Sequence, residues 1–180
     1  DMYVAAKGVR ALFDGVGRSL NTEDVSTFKS GYAIAKFTNF KTDGSAGHDA
    51  TFADTDYFLL RVAEAYLTFA EADARLNGGN TTSEGTQAVN SIRSRAHAST
   101  RTNAYSLDDI CDEWSREFYF EGRRRMDLIR FNRYGGNNNY TWQWKGGSYE
   151  GRSFDAHLNI FAIPTNELTA NSNLTQNPGY

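Results

Sequence analysis

The sequence predicts a mainly α-helical fold of helical hairpins with loops and short strands. Three stretches carry apolar residues at the spacing of an amphipathic helix, and the first lies in YFLLRVAEAYLTFAEADARL. Gly78–Gly79 ends this stretch, and short connections separate the three, which favours antiparallel neighbours packed face to face. With 180 residues, 39% of them hydrophobic, the chain can bury one core of useful size.

Residues 1–56 are predicted to be a mixed strand and loop region of the same fold. The run KSGYAIAKFTNF alternates, with Tyr32 and Ile34 on one face, which is the period of a strand. Residues 42–50 follow with the Gly, Asp and Ser content of a turn. We therefore divide the chain after residue 56 and assign 57–180 to helices and a tail.

Sequence signals also set the ends of the predicted helices. The first helix is expected to bury one stripe, formed by Leu59, Val62, Ala63, Tyr66, Leu67, Ala70 and Ala74. Thr81 with Glu84 predicts a capping box that opens a second helix, and Ser106 with Asp109 predicts one for a third. We expect the third helix to continue past a kink at Gly122. The first two helices resemble one helical-hairpin unit of about 34 residues.

Two tryptophans stand in the glycine- and asparagine-rich stretch after the third helix. In a strand, Trp142 and Trp144 would point to the same face and form a flat platform for the CH-rich face of a sugar. They are the candidate carbohydrate-binding residues. The alternative is that they cover the helical core or another part of the protein, and both interpretations stay open. An extended segment up to Pro164 and at most one helical turn complete the chain.

Acidic residues near the third helix are candidates for general acid and base chemistry. They are Asp112, Glu113, Glu117, Glu121 and Asp127. Helical spacing places Arg116 near the first two, and Arg124 and Arg125 near Glu121, which predicts ion pairs. Nearby arginines lower a carboxyl pKa, whereas a general acid needs a raised one. Glu64 and Glu71 are likewise expected to pair with arginines, so we predict no catalytic residue and no enzyme.

Other chemistries find little support in the composition. The net charge is −3, and acids such as Glu121 and Asp127 are interspersed with the arginines of residues 116–133, which argues against nucleic acid as a partner. The three histidines are far apart, and no metal-binding spacing occurs. Asp43, Ser45 and Asp49 lack the glycine and glutamate of a calcium loop and predict a turn. We therefore expect neither a metal nor a cofactor.

Several motifs resemble the SusD/RagB family, in the order and spacing of that family. RVAEAYLTFAEA (Arg61–Ala72) resembles its signature helix, and VNSIRSRA (Val89–Ala96) resembles the next one. DEWSREFYFEGRRRMDLIRF (Asp112–Phe131) is similar to its E-G-x-R-x-x-D-L-I-R-F helix. WQWKGG and the ending IPTNELTANSNLTQNPGY complete the set, so the resemblance covers residues 28–180.

The resemblance implies the C-terminal part of a longer lipoprotein with tetratricopeptide-like helical hairpins. Such a protein is exposed on the outer membrane, anchored through lipid on a cysteine upstream of this chain, and has no cofactor. Its partners are a glycan ligand, a SusC-like TonB-dependent transporter and the remaining N-terminal part of the same protein.

Two functions follow as alternatives. In the first, the chain belongs to a non-catalytic glycan-binding component of nutrient uptake. In the second, it is a scaffold that contacts the transporter, while the sugar site lies in the N-terminal half. In either case we expect a large exposed apolar patch where the other half docks.

Overall fold

The computed structural model describes residues 13–37, 39–41, 43–136 and 140–180, and their architecture is mainly helical, as predicted. Within those residues the α-helices are α1 Val62–Leu76, α2 Ser83–Arg95, α3 Leu107–Glu117, α4 Arg124–Arg130 and α5 Thr165–Ala170. Of the described residues, those up to Gly122 form one compact unit and those from Arg123 onward form a second. The predicted division after residue 56 stays a prediction. Parts of the predicted strand, turn and loop, namely Thr38, Thr42 and residues 137–139, lie outside the described residues, as do residues 1–12.

The strand predicted around Tyr32 is short. Strand β2, Ala33–Ile34, pairs antiparallel with β1, Phe13–Asp14, with Phe13 opposite Ile34. The side chain of Asp14 accepts a hydrogen bond from the amide of Val16 at 3.0 Å. This Asx turn takes the chain out of β1, so among the described residues β1 offers no partner to the part of the chain just before Ala33.

Helices α1 and α2 form the predicted hairpin, which runs from residue 62 to 95 and so spans 34 residues. Helix α1 packs against both α2 and α3. The core of the three helices contains Ala63, Leu67, Ala70, Ala74, Ala88, Val89, Ile92, Ile110, Cys111 and Trp114. The buried stripe of α1 is narrower than predicted, because Leu59 precedes the helix and Val62 and Tyr66 are exposed.

The start of α2 is capped from another helix, so the predicted capping box of Thr81 and Glu84 is wrong. Asp73 of α1 accepts hydrogen bonds from the amide of Thr82 at 2.7 Å and from its hydroxyl at 3.0 Å. A Cβ atom at Gly85 would lie 2.1 Å from the Asp73 carboxylate, so this approach needs glycine. The hydroxyl of Thr81 instead pairs with that of Thr86 at 2.7 Å.

The predicted capping box of α3 is confirmed. Ser106 Oγ accepts from the amide of Asp109 at 3.1 Å, and Asp109 Oδ2 accepts from the amide of Ser106 at 2.9 Å. The predicted continuation of this helix is wrong, because α3 ends at Glu117. Phe120 and Gly122 have left-handed φ angles of 59° and 72°, which a continuing right-handed helix does not allow.

The end of the chain is fixed by side-chain hydrogen bonds. The side-chain amide of Gln176 makes two hydrogen bonds to the backbone of Ile163. Its Oε1 accepts from the N–H of Ile163 at 2.8 Å, and its Nε2 donates to the carbonyl of Ile163 at 3.0 Å. Tyr180 donates its hydroxyl to the carbonyl of Ile160 at 2.8 Å. Helix α5, between these two segments, is six residues long and exceeds the single turn that was predicted. None of the helices in the described part of the chain has the length and apolar character to cross a membrane.

Candidate functional site

The acidic residues around α3 are ion-paired, as the sequence predicts. Glu117 accepts hydrogen bonds from Arg61 Nη1 at 2.7 Å and from Arg95 Nη2 at 2.5 Å. Glu113 accepts from Arg93 at 2.8 Å and from Arg116 at 2.9 Å. Both carboxylates are buried, so these contacts neutralise charge within the helical core.

The remaining candidates on and after α3 have cationic partners as well. Asp112 lies 3.8 Å from Arg116, and Asp127 lies 2.9 Å from Arg130. The partners of Glu121 differ from the prediction. It accepts from Arg61 Nε at 2.8 Å and from Lys36 Nζ at 2.5 Å. The expected pairing with Arg124 and Arg125 assumed helical spacing, and the helix has already ended at Glu117.

The pKa of Glu121 shows that its cations outweigh burial. Burial alone would raise this pKa, but hydrogen bonds from Arg61 and Lys36, together with their charges, hold it below its ordinary value. The pKa of the Arg61 guanidinium is raised although burial opposes its charge, because Glu121 and Glu117 accept its hydrogen bonds. The pair therefore stays ionised at neutral pH.

The first helix also pairs its buried acid. Glu71 accepts from Arg75 at 2.9 Å, as predicted, and from the indole Nε1 of Trp114 at 2.9 Å. The indole contact ties α1 to α3 through a buried hydrogen bond. Helical spacing gave the first partner, whereas nothing in the sequence pointed to the second.

The segment with Trp142 and Trp144 is a turn and not the strand that the platform assumed. Trp144 adopts a left-handed φ of 67°, and the amide of Lys145 donates to the carbonyl of Trp142 at 3.1 Å. The two indoles consequently pack against different rings. Trp142 contacts Tyr140 and Phe154 edge to face, whereas Trp144 contacts Tyr149 at 5.7 Å and 84°. A role in carbohydrate binding stays a prediction.

Sequence reasoning missed Lys145, which lies beneath Trp142. Its Nζ is 4.5 Å from the centroid of the Trp142 ring and 4.9 Å from that of Phe154. The same Nζ donates to the carbonyls of Tyr134, at 2.9 Å, and Tyr140, at 3.0 Å. Burial lowers the pKa of Lys145. The position of this lysine between two tryptophans and two glycines was the only sequence signal.

This arrangement fixes the indole of Trp142 without covering it. The residue keeps 38% of its surface exposed, while Trp144 is half-buried. A Cβ atom at Gly151, whose φ is 78°, would lie 2.2 Å from the Trp142 carbonyl, so the turn closes only with glycine there. A fixed and partly exposed indole is suited to stacking against a flat ligand.

Comparison of the sequence with known proteins gives consistent matches. The model of the SusD family matches residues 17–180. The starch-binding protein SusD of Bacteroides thetaiotaomicron is 42% identical over 184 residues, which cover 100% of this chain and 32% of that protein. The chain therefore spans about a third of the length of this curated relative.

Comparison of the folds agrees with the sequence matches. Surface glycan-binding protein A from Bacteroides uniformis is 29% identical with a TM-score of 0.57, covering 81% of this chain and 30% of that one. A laminarin-binding SusD-like protein is 27% identical with a TM-score of 0.58, and the match covers 85% of this chain and 30% of that one. A SusD superfamily protein from Parabacteroides distasonis is 21% identical with a TM-score of 0.63, and the match covers 97% of this chain and 40% of that one. At this identity the match supports the fold alone.

Proposed function

Because the chain belongs to the SusD family, we propose that it serves in a glycan-binding component of an outer-membrane nutrient uptake system. The observation that carries the proposal is the match of the whole of this chain to about a third of a relative named for starch binding. In this proposal the protein is a surface lipoprotein, anchored through a cysteine upstream, that presents sugars to a SusC-like TonB-dependent transporter.

The proposed role is binding without cleavage. Glycoside hydrolysis requires a carboxylic acid with a raised pKa and a second carboxylate about 5 to 9.5 Å away. The predicted acids are instead held by arginine or lysine, and the pKa of Glu121 is lowered. Carboxylates in this state act as scaffolding, which supports a non-catalytic protein.

Within the second unit, we propose Trp142 as a sugar contact and Trp144 as its support. The exposed part of the Trp142 indole offers an apolar face to the CH groups of a sugar ring. Lys145 holds that ring from the inside, so little side-chain entropy is lost on binding. Trp144, packed against Tyr149, stabilises the turn that carries Trp142.

A second candidate function is a protein-interaction scaffold. Leu59, Leu60 and Val62, at and before the start of α1, are largely exposed, together with Phe69 farther along the helix. Apolar side chains clustered in one stretch of chain favour contact with another protein surface. The partner in this alternative is the transporter or the rest of the same protein, with the sugar site elsewhere.

Calorimetry on the full-length protein separates these functions. We expect Trp142→Ala to weaken binding of soluble starch or laminarin at least about tenfold, and Trp144→Ala to weaken it less. Phe28→Ala, at an exposed ring in the other unit, serves as a control for handling and folding. Unchanged glycan affinity in both tryptophan variants, with loss of the complex with the transporter, would favour the scaffold function.

A further inference from the structure

Two adjoining cavities lie in the first unit, beside the loop that precedes α1. Their volumes are about 320 and 380 Å³, and both are lined by Phe37, Thr55, Asp56 and Tyr57. Sites for small ligands commonly have volumes from about 300 Å³ upward. Together the cavities form one cleft, which we name the Tyr57 cleft.

The walls of the Tyr57 cleft are unusually aromatic. Phe37, Tyr57, Phe58 and Phe120 all line it and are all exposed, Phe58 to 64%. Phe120 stands at a left-handed φ of 59°, a conformation that bulky residues rarely adopt. Exposed flat rings around a cavity suit the apolar faces of sugar rings.

The inner side of the Tyr57 cleft is rigid. Arg61 lies between Glu117 and Glu121 and hydrogen-bonds to both, and the Tyr57 hydroxyl donates to the carbonyl of Glu121 at 2.5 Å. Lys36 joins the same carboxylate of Glu121 at 2.5 Å. The cleft is therefore organised before a ligand arrives, which lowers the entropic cost of binding.

The charges around the Tyr57 cleft cancel. Three cations and three carboxylates line it, namely Lys36, Arg61, Arg95, Asp56, Glu117 and Glu121. A phosphate or an acidic polymer would gain no net attraction from such a lining. An uncharged ligand with many hydroxyl groups fits it better.

Two of these groups have hydrogen-bonding capacity left. Among the described residues, no hydrogen bond or ion pair engages Asp56, which leaves its carboxylate oxygens as acceptors. Arg95 uses Nη2 for Glu117, while its side chain is 54% exposed, which leaves Nε and Nη1 as donors. A carboxylate and a guanidinium complement the donor and acceptor sides of sugar hydroxyls.

We infer that the Tyr57 cleft is a binding site for an uncharged oligosaccharide, in addition to Trp142. Aromatic rings stack on the sugar, Asp56 accepts from its hydroxyls and Arg95 donates to them. This inference rests on the proposed glycan-binding function. It commits to a neutral glycan, and a protein segment seated on the same rings is the rival occupant.

The test uses the full-length protein with Phe58→Ala and Asp56→Asn. Phe58 is mostly exposed, so its replacement leaves the core intact, and Phe28→Ala is the matched control because Phe28 is exposed and lines neither cavity. Calorimetric titration uses the soluble neutral glycans starch, laminarin and xyloglucan, with polygalacturonate as the acidic comparison. Thermal unfolding of each variant verifies that it is folded.

We expect Phe58→Ala to lower the affinity for the neutral glycan at least about tenfold, or to remove one binding site per protein. Asp56→Asn is expected to lower this affinity about threefold to tenfold. Phe28→Ala is expected to match the wild type. Binding is also expected to persist in 0.5 M NaCl, which is about where salt screens charges within a few ångströms.

Three results would overturn this inference. If both cleft variants bind neutral glycans like the wild type, the Tyr57 cleft is no sugar site, although the proposed function stands. If the cleft variants lose only the transporter complex, the occupant is protein. If the wild type binds none of the neutral glycans, the proposed function fails along with the cleft.

Discussion

One buried charge in the first unit and one in the second are satisfied in different ways. Glu117 and Lys145 are both 1% exposed. Glu117 meets full opposite charges on Arg61 and Arg95, which come from outside its own helix. Lys145 meets two carbonyl groups and two aromatic rings. The buried carboxylate in the helical core is thus neutralised by charged side chains, whereas the buried ammonium in the loop is stabilised by carbonyl dipoles and aromatic faces.

The largest effect is expected from breaking the charge pairing of the first unit. Glu117→Ala leaves Arg61 and Arg95 without their shared partner in the core, and the free energy of unfolding should fall by about 3 kcal/mol or more. Asp112→Ala is the control, because Asp112 lies 3.8 Å from Arg116 with about half its side chain exposed, and a loss below about 1 kcal/mol is expected. Urea denaturation measures both, and equal losses would contradict the distinction.

A smaller effect is expected in the second unit. Lys145→Met keeps the apolar stem but leaves the carbonyls of Tyr134 and Tyr140 without their donor, at a cost of about 1 to 3 kcal/mol. The indole of Trp142 also loses the cation, so its fluorescence should change. Lys41→Met, at an exposed lysine, provides the comparison and should leave both signals unchanged. Wild-type stability and emission in Lys145→Met would argue that the ammonium contributes nothing.

The pH dependence of stability sharpens the contrast further. The folded pKa of Glu121 is lowered, so its contribution to stability is present above the ordinary glutamate value of about 4.3. It is lost as the pH falls through the lowered, folded-state value. The difference in unfolding free energy between wild type and Glu121→Gln should therefore be constant from pH 6 to 7 and shrink below about pH 4. Denaturant titrations at each pH measure it, and a difference that grows in acid would contradict the sign.

The smallest effects compare a cap from a distant residue with a local one. Asp73→Ala and Ser106→Ala should each destabilise by about 1 kcal/mol, because each removes the acceptor at a helix start. Glu84→Ala should change stability by less than about 0.5 kcal/mol, since the capping box it was predicted to form does not exist. A loss of stability in Glu84→Ala as large as that in Asp73→Ala would show that Glu84 does cap α2.

The sequence predicts what depends on neighbouring residues. The hairpin of α1 and α2, the glycines that end α1 and the Ser106 capping box follow from spacing within a few residues. The Asp73 cap joins two helices across a turn, between partners nine positions apart, and the Lys36 contact with Glu121 spans 85 positions, so no pattern within one helix contains them. Their positions follow from tertiary packing alone.

The candidate site was predicted in the same uneven way. Trp142 and Trp144 were identified by residue type, but their geometry depends on a left-handed turn that requires Gly151. The predicted stripe of α1 included Leu59 and Val62, since periodicity identifies an apolar face without telling how much of it a partner covers. The motif resemblance identified the family, which spacing alone did not.

The buried sulfur of Cys111 can report when the core of the three helices opens. It is the one cysteine in the chain, and it is fully enclosed within α3 among the residues that hold the three helices together. A thiol reagent can reach it only when that packing opens, so the rate of alkylation at increasing urea follows opening of the hairpin unit. Alkylation of this single sulfur therefore reports the opening of the first unit and gives no signal from the second.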